Sequence, residues 1–209
     1  APHALTPGSL CREYMLSSVW TTADTPVHME GDAGPRSRTV RTLGELWPYA
    51  SPYTRLSRAE QLACGERLGP LVRPQMSSLL GDDSSCWRAA FEAAAADDRN
   101  DVHPVRFGAA VVFEGGEVAW AWQVKALEYG CSMDPVCQLA PLIAKATRKP
   151  TVVCMVDQFG VAHAPFATGR AYLIEHGWGT VRLLVHTAAG LLQRPTADDL
   201  MPQTPNHLT

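Results

Sequence analysis

The chain has 209 residues, 46% of them hydrophobic, and a formal net charge of −3. That length and hydrophobic content suffice for one core domain with an extension. No apolar run approaches the ~20 residues that span a bilayer, so we expect no membrane span. The acidic balance argues against a protein embedded in RNA or wrapped along DNA.

The first part of the chain, residues 1–83, is predicted to be an extended arm with short helices. Proline and glycine recur along it, which is typical of extended and looping backbone. Ser57 followed by Glu60 forms a capping box that predicts a short helix over 57–68, and a second short helix is expected over 43–47. Because such an arm buries little apolar surface, we expect it to become ordered against its own domain or a neighbouring protein.

A small basic cluster lies within the arm at Arg36, Arg38 and Arg41. Such a cluster can bind phosphate or an acidic partner surface, although a solvated basic stretch is the commoner explanation. We keep these three arginines as candidate partner contacts.

Residues 84–209 carry the alternation of helix and strand patterns that is typical of an α/β domain. Ser84 and Ser85 are predicted to cap its first helix, which ends near residue 97. The predicted strands are 106–114, 118–124, 151–157, 180–186 and 191–193. A turn at Gly115–Gly116 joins the first two of them as a hairpin.

Two further helices are predicted in this domain. Asp134 as N-cap and Pro135 at the first position begin one of them. Pro141 then lies inside it, where it removes a backbone hydrogen bond and costs about 3 kcal/mol in a regular helix. The other helix covers 166–176 and ends at Gly177.

Trp120 and Trp122 alternate with alanines, so both indoles point to one face of the second strand. Packing beneath a helix would explain this face adequately. If the face is exposed, the pair is instead a candidate anchor for a partner protein, because tryptophan carries much of the binding energy at interfaces.

The order and spacing of several short segments are informative, although no single segment is specific. They are 107–112 (FGAAVV), 117–119 (EVA), 126–130 (ALEYG), 136–139 (VCQL), 160–170 (GVAHAPFATGR) and 196–202 (TADDLMP). Together they resemble the cytidine deaminase family, which writes V-C-A-E, G-P-V-S-P-C-G-x-C-R and T-x-E-E-L-L-P at the last three places. The resemblance covers more than half of the chain. It implies a three-layer α/β sandwich with a mixed sheet of about five strands, here with a long N-terminal extension.

The resemblance also locates a catalytic set that this chain lacks. The family needs three zinc ligands and a glutamate that transfers protons. Cys137 keeps the first ligand position, but Leu139 stands where the glutamate belongs. Phe166 and Gly169 align with the two cysteines of P-C-x-x-C. One thiolate does not hold a catalytic zinc, so we expect no metal, no cofactor and no deamination.

The sugar-binding position is altered as well, because the family's N-x-E aligns with Gln123-Val124-Lys125. A lysine there removes the carboxylate acceptor and reverses the local charge. We further expect Leu139 and Phe166 to fill the space of the metal and the acid, which turns a polar pocket into core. Such filling stabilises by roughly 1.5–3 kcal/mol per buried side chain.

A relocated metal site is the alternative that would rescue catalysis. Its candidate ligands are Cys131, Cys154 and His163. Cys154 lies in a strand where a free cysteine usually behaves as a small apolar residue. A loop or surface position is the favoured interpretation of His163, because no paired ligand spacing accompanies it.

The function expected from these observations is that of a catalytically inactive, deaminase-like accessory or structural subunit of a larger multiprotein complex. The six cysteines show no compact disulfide framework, which favours a reducing compartment. The chain starts at Ala1, as a mature end would after removal of a targeting peptide. We therefore expect an organelle, first of all the mitochondrion. The alternatives are a nucleoside or nucleotide binder with a pocket at Gln123, Lys125 and Arg170, a deaminase with relocated ligands, and an RNA-associated module.

Overall fold

The computed structural model describes residues 5–31, 34–128 and 131–203; the predicted family segment at Tyr129 and Gly130 and the side chain of Arg36 lie outside what it describes. The helices are α1 Ser9–Ser17, α2 Leu43–Leu46, α3 Arg58–Ser77, α4 Gly81–Ala93, α5 Pro135–Gln138, α6 Ala140–Lys145, α7 Ala167–Glu175 and α8 Ala197–Leu200. The strands are β1 Pro26–Gly31, β2 Gly34–Thr42, β3 Phe107–Phe113, β4 Val118–Trp122, β5 Pro150–Asp157, β6 Ala162–His163, β7 Arg182–His186 and β8 Leu192–Gln193. No helix in the described ranges is long and apolar enough to cross a membrane.

The main sheet is mixed and has the strand order β4-β3-β5-β7-β8. β3 is antiparallel to both β4 and β5, whereas β5 and β7 are parallel. The prediction of an α/β fold with about five strands is confirmed. One strand was missed: β6, which we assigned to a loop, pairs antiparallel with β5 through Met155 and His163.

Helices cover both faces of this sheet, which gives three layers. On one face α4 packs Cys86 and Ala90 against alternate residues of β3 and β5. Gly108 in β3 permits the contact, since a Cβ there would lie 2.3 Å from the carbonyl oxygen of Ala90. On the other face, α5 and α7 supply Val136, Leu139 and Leu173 to the larger core.

Several helix boundaries differ from the predictions. The capping box of Ser57 and Glu60 is present, but α3 continues beyond residue 68 to Ser77. Its prolines, Pro70 and Pro74, lie on the exposed side, while Leu68, Val72 and Met76 are buried one turn apart. Burial of that apolar stripe outweighs the interruptions. The next helix begins at Gly81 after Leu80, not at a serine cap.

The helix predicted to contain Pro141 is divided in two. α5 ends at Gln138, and α6 begins at Ala140 with Pro141 in its first turn. A proline in that position removes no hydrogen bond that the helix would otherwise make. The predicted penalty of a proline inside a regular helix is therefore wrong.

The segment before residue 84 packs against its own domain, and two buried arginines hold it there. Arg12 donates to the carbonyl oxygens of Leu46 and Pro202, both at 2.8 Å. Arg170 in α7 donates to those of Pro48 at 2.7 Å and Tyr49 at 2.9 Å. The sequence allowed the arm to be ordered either by its own domain or by a neighbouring protein. In the described residues, its own domain orders it.

Candidate functional site

The positions that align with the deaminase zinc site lie where α5 and α7 meet. Leu139 is completely buried and belongs to the larger core. Phe166 is half-buried and packs edge-on against Phe107, with 5.2 Å between ring centroids. Gly169 faces Asp134 so closely that a Cβ would lie 2.6 Å from its Oδ2. Apolar side chains and a glycine therefore occupy the positions at which zinc ligands and the proton carrier would be needed.

Cys137, the remaining ligand of the family pattern, is held as a thiol. Burial and the neighbouring Asp134 raise the pKa of Cys137 to about 11, so it carries its proton at neutral pH. Within the described ranges, no three His, Cys, Asp or Glu side chains are grouped so that they could hold a metal ion. The relocated set is also not assembled, since Cys131 is exposed whereas Cys154 is buried. The residues present do not fit a catalytic zinc.

Two carboxylates lie at the starts of the helices that border this region. Asp134 accepts a hydrogen bond from the amide of Val136 at 2.6 Å, and burial raises its pKa to about 7. Glu13, from α1, accepts from the amide of Ala167 at 3.2 Å, and burial raises its pKa too. Arg170 lies near both carboxylates and acts on them electrostatically. Each carboxyl group thus accepts a hydrogen bond from a backbone amide at a helix start, so the pair caps both helices.

Lys125 is not the free cation that the sequence implied at the sugar-binding position. Its ammonium lies 2.8 Å from Asp97 Oδ2, with both side chains buried. It also donates to the carbonyl oxygen of His103 at 2.7 Å. The predicted reversal of local charge is wrong, because Asp97 neutralises the charge of Lys125. The pair could not be predicted, because the two residues are far apart in sequence. Gln123 is half-buried beside it.

A cleft of about 960 Å³ remains in front of these positions. Its lining includes Tyr53, Phe107, Gln123, Lys125, Phe166 and Arg170. The prediction that the pocket becomes core holds for Leu139 but is wrong for Phe166, which forms a wall of an open cleft. The arm supplies the opposite wall.

At the back of the cleft lies a buried polar network that sequence reasoning missed. Asp157 Oδ1 accepts from the amides of Phe159 at 2.8 Å and Val161 at 3.0 Å. Asp157 Oδ2 accepts from the Tyr53 hydroxyl and lies 3.0 Å from His163 Nε2. The other ring nitrogen of the histidine, Nδ1, lies 3.2 Å from the hydroxyl of Ser51, which lines the cleft.

The loop or surface position favoured for His163 is wrong, because this side chain is 1% exposed. The strand β6 carries it into the core. The amide of Ala162 donates to His186 Nδ1 at 2.8 Å, and burial lowers the pKa of His186 to about 4, so the ring stays neutral and can accept. The hydrogen bonds of Ala162 to His186 and of His163 to Asp157 fix the position of the His163 ring. The only sequence signal was Asp157, a carboxylate that ends a buried strand.

The two tryptophans of β4 are exposed, so packing beneath a helix is the wrong interpretation. Trp120 is 51% exposed and Trp122 is 38% exposed, and their ring centroids lie 6.0 Å apart. β4 is the edge strand, and both indoles stay exposed on the face that also carries α4. In the basic cluster, Arg38 and Arg41 are exposed, and Arg38 lies 3.3 Å from Glu30.

The comparisons with known proteins give similarity in structure only. No family model matches the chain, and no curated protein matches it. Among solved structures, it is similar to cytidine deaminase from Mycobacterium leprae, with 22% identity, a TM-score of 0.47 and coverage of 56% of this chain and 94% of that one. It is also similar to cytidine deaminase from Burkholderia pseudomallei, with 24% identity, a TM-score of 0.45 and coverage of 56% and 97%. Both are cytidine deaminases, the family that the sequence segments resemble.

Proposed function

We propose that this protein is catalytically inactive as a cytidine deaminase and serves as an accessory or structural subunit of a larger multiprotein assembly. The observation that carries the proposal is the construction of the former catalytic positions. Leu139 is part of the core, and Gly169 is pressed against a buried carboxylate. The proton carrier and a metal ligand are absent, and the fold uses their places for packing.

Exposed apolar surface supports a role in binding other proteins. Trp120 and Trp122 form one such surface on the edge strand. A second lies on the outer side of α1, where Leu10 is 62% exposed and Tyr14 is 69% exposed, one turn apart. Trp20, shortly after this helix, is 91% exposed. Contiguous apolar groups on a surface usually mark contacts with other proteins, and tryptophans are enriched among the residues that dominate binding energy.

The first test is the native mass of the protein drawn gently from its source, with its partners identified by mass spectrometry and zinc measured in the same fraction. We expect the protein at fixed stoichiometry in a large assembly that contains no zinc on this chain. A free small oligomer with one zinc per chain would contradict the proposal. Fractionation of the cell tests the proposed compartment, an organelle and first of all the mitochondrion.

A paired substitution tests the edge-strand surface directly. Replacing Trp120 and Trp122 by alanine should release the protein from the assembly while leaving its own melting temperature nearly unchanged, because both rings are exposed. Leu191→Ala is the matched control, since this side chain is 63% exposed after β7, at the other side of the sheet. Equal retention of the tryptophan variant and the control would show that the edge strand is not the contact.

A second candidate function, binding of a nucleoside or nucleotide, is favoured by the cleft. Gln123, Lys125 and Arg170 all line it, as that hypothesis requires. The ammonium and the guanidinium, however, are engaged by Asp97 and by backbone carbonyls. Calorimetric titration with cytidine and cytidine monophosphate separates the two candidates. Stoichiometric binding that Phe166→Ala weakens would support the ligand binder, and the absence of heat would exclude both ligands.

A further inference from the structure

We infer that Ser51, His163 and Asp157 form a nucleophile–base–acid triad, and that Ser51 accepts an acyl group from a small carboxylic ester bound in the cleft. The inference does not depend on the proposed role as a subunit. It assigns a chemistry to residues that lie outside the former zinc positions.

The hydrogen bonds of the triad define the tautomer of the histidine. Asp157 already accepts from two amides and the Tyr53 hydroxyl, so it can only accept from His163 as well. The histidine therefore carries its proton on Nε2, at 3.0 Å from the carboxylate. Nδ1 is left with a lone pair that faces the Ser51 hydroxyl at 3.2 Å. This is the arrangement by which a carboxylate orients a histidine and the histidine activates a serine.

The surroundings hold the base in place. The His163 ring packs against Tyr53, with 4.8 Å between ring centroids, and edge-on against Phe107 at 5.3 Å. Its side chain is wholly buried, whereas Ser51 is half-buried and lines the cleft. The nucleophile is thus reachable from the cavity, while the base and the acid are screened from water.

The reaction that this arrangement supports is acyl transfer to the serine. The hydroxyl oxygen of Ser51 forms a bond to the ester carbonyl carbon while its proton passes to His163 Nδ1. The bond from that carbon to the alkoxy oxygen breaks, and the leaving alkoxide takes a proton from a water molecule in the cleft and departs as an alcohol, because Ser51 Oγ is the only hydrogen-bond partner of the buried Nδ1 among the described residues. The resulting hydroxide attacks the acyl-serine, Ser51 Oγ leaves and takes its proton back from Nδ1, and a carboxylic acid and free Ser51 result. Asp157 and Tyr53 act as positioning residues, because Asp157 is buried behind the cleft and the Tyr53 ring lines the cleft while its hydroxyl donates to Asp157.

The cleft indicates the substrate class. Its walls near the triad are aromatic, with Tyr53, Phe107 and Phe166. A short acyl or aromatic ester suits such walls.

A fluorophosphonate probe tests the nucleophile without knowledge of the substrate. An activated serine displaces fluoride and forms an oxygen–phosphorus bond, which adds a fixed mass to one peptide. We expect the whole protein to be modified at Ser51, as located by peptide mass spectrometry. The same preparation should hydrolyse p-nitrophenyl acetate, and Ser51→Ala should lower the rate by about 10⁴-fold or more, as removal of a triad member does in serine hydrolases.

Two variants distinguish a serine that is activated by His163 from a serine that only lines the cleft. Ser17 lines the same cleft but has no histidine partner, so Ser17→Ala should leave both labelling and hydrolysis unchanged. Tyr53→Phe keeps the ring against His163 and removes one hydrogen bond to Asp157, so labelling should slow but still occur at Ser51. An unlabelled wild-type protein, or an adduct on another serine, overturns the inference; mapping the wild type requires no variant to fold. The native mass and zinc content test the subunit proposal separately.

Discussion

Gly169 offers the sharpest test of how the position that aligns with a zinc ligand of the resembled family is built. A Cβ on this residue would lie 2.6 Å from Asp134 Oδ2 and 2.9 Å from Oδ1. The carboxylate cannot move easily, because it is buried and caps α5 through the amide of Val136 at 2.6 Å. Overpacking of this kind costs about 1–3 kcal/mol. Against it stands the gain of about 1 kcal/mol from replacing glycine by alanine inside a helix.

A double-mutant cycle isolates the clash from that gain. We expect Gly169→Ala alone to change the free energy of unfolding by between zero and about −2 kcal/mol, the overpacking cost less the helix gain. In an Asp134→Ala background the obstacle is gone, so the same substitution should stabilise by up to about 1 kcal/mol. The coupling between the sites should therefore be about 1–3 kcal/mol. Urea denaturation of the four proteins measures it.

The neighbouring Thr168 calibrates the helix contribution. It is exposed in the same helix, so the difference between Thr168→Ala and Thr168→Gly gives the intrinsic preference of this helix for alanine over glycine. A coupling energy smaller than about 0.3–0.5 kcal/mol would mean that the two substitutions are additive, as expected for independent sites. That result would refute the reasoning that any side chain at 169, a cysteine included, collides with the buried carboxylate.

Three further results are expected. Burial raises the pKa of Asp134 to about 7, above its unfolded value near 3.8; the folded state therefore binds more protons between these values, and stability is lost as pH rises through them. Asp134→Asn should gain stability relative to the wild type as pH rises from 4 to 7 in urea denaturation, and a constant difference would contradict the raised pKa. Lys125→Met should cost about 3–5 kcal/mol because it leaves the Asp97 carboxylate buried without its cation, and adding Asp97→Leu should recover most of the loss in thermal melts. In native protein, iodoacetamide should modify the exposed Cys131 and spare Cys86, which is buried and whose pKa burial raises; equal rates would show that the core opens.

Local signals predicted much of the fold. The glycines of the β3–β4 turn have φ of +90° and +86°, a conformation that glycine adopts without strain, so the hairpin could be identified from Gly115–Gly116 alone. The capping box at Ser57 and the N-cap at Asp134 likewise placed two helix starts within a few residues. The end of α3 could not be predicted, because it depends on Leu68 and residues beyond it burying against the domain.

The site was harder to predict because its partners are distant in sequence. Ser51 and His163 are 112 residues apart, and the hydroxyl of Tyr53 reaches a carboxylate 104 residues away. Lys125 finds Asp97 only through the fold. A sequence pattern shows the residue types but not these pairs, so His163 was taken for a surface residue and Lys125 for a free cation. That Phe166 and Gly169 offer no metal ligand could be predicted, because it rests on residue type alone.

The arm and the starts of α5 and α7 form one buried polar unit. Carboxyl oxygens of Asp134 and Glu13 accept hydrogen bonds from the amides of Val136 and Ala167 there, and Glu13 belongs to the arm. Arg170 adds a buried positive charge beside them and is itself held by carbonyls of the arm. Removal of the arm would leave the amide of Ala167 without its acceptor and would remove two acceptors of the guanidinium, which would keep the carbonyl oxygens of Pro165 and Leu200. The extension therefore stabilises this part of the domain, since a buried polar group without a partner is strongly unfavourable.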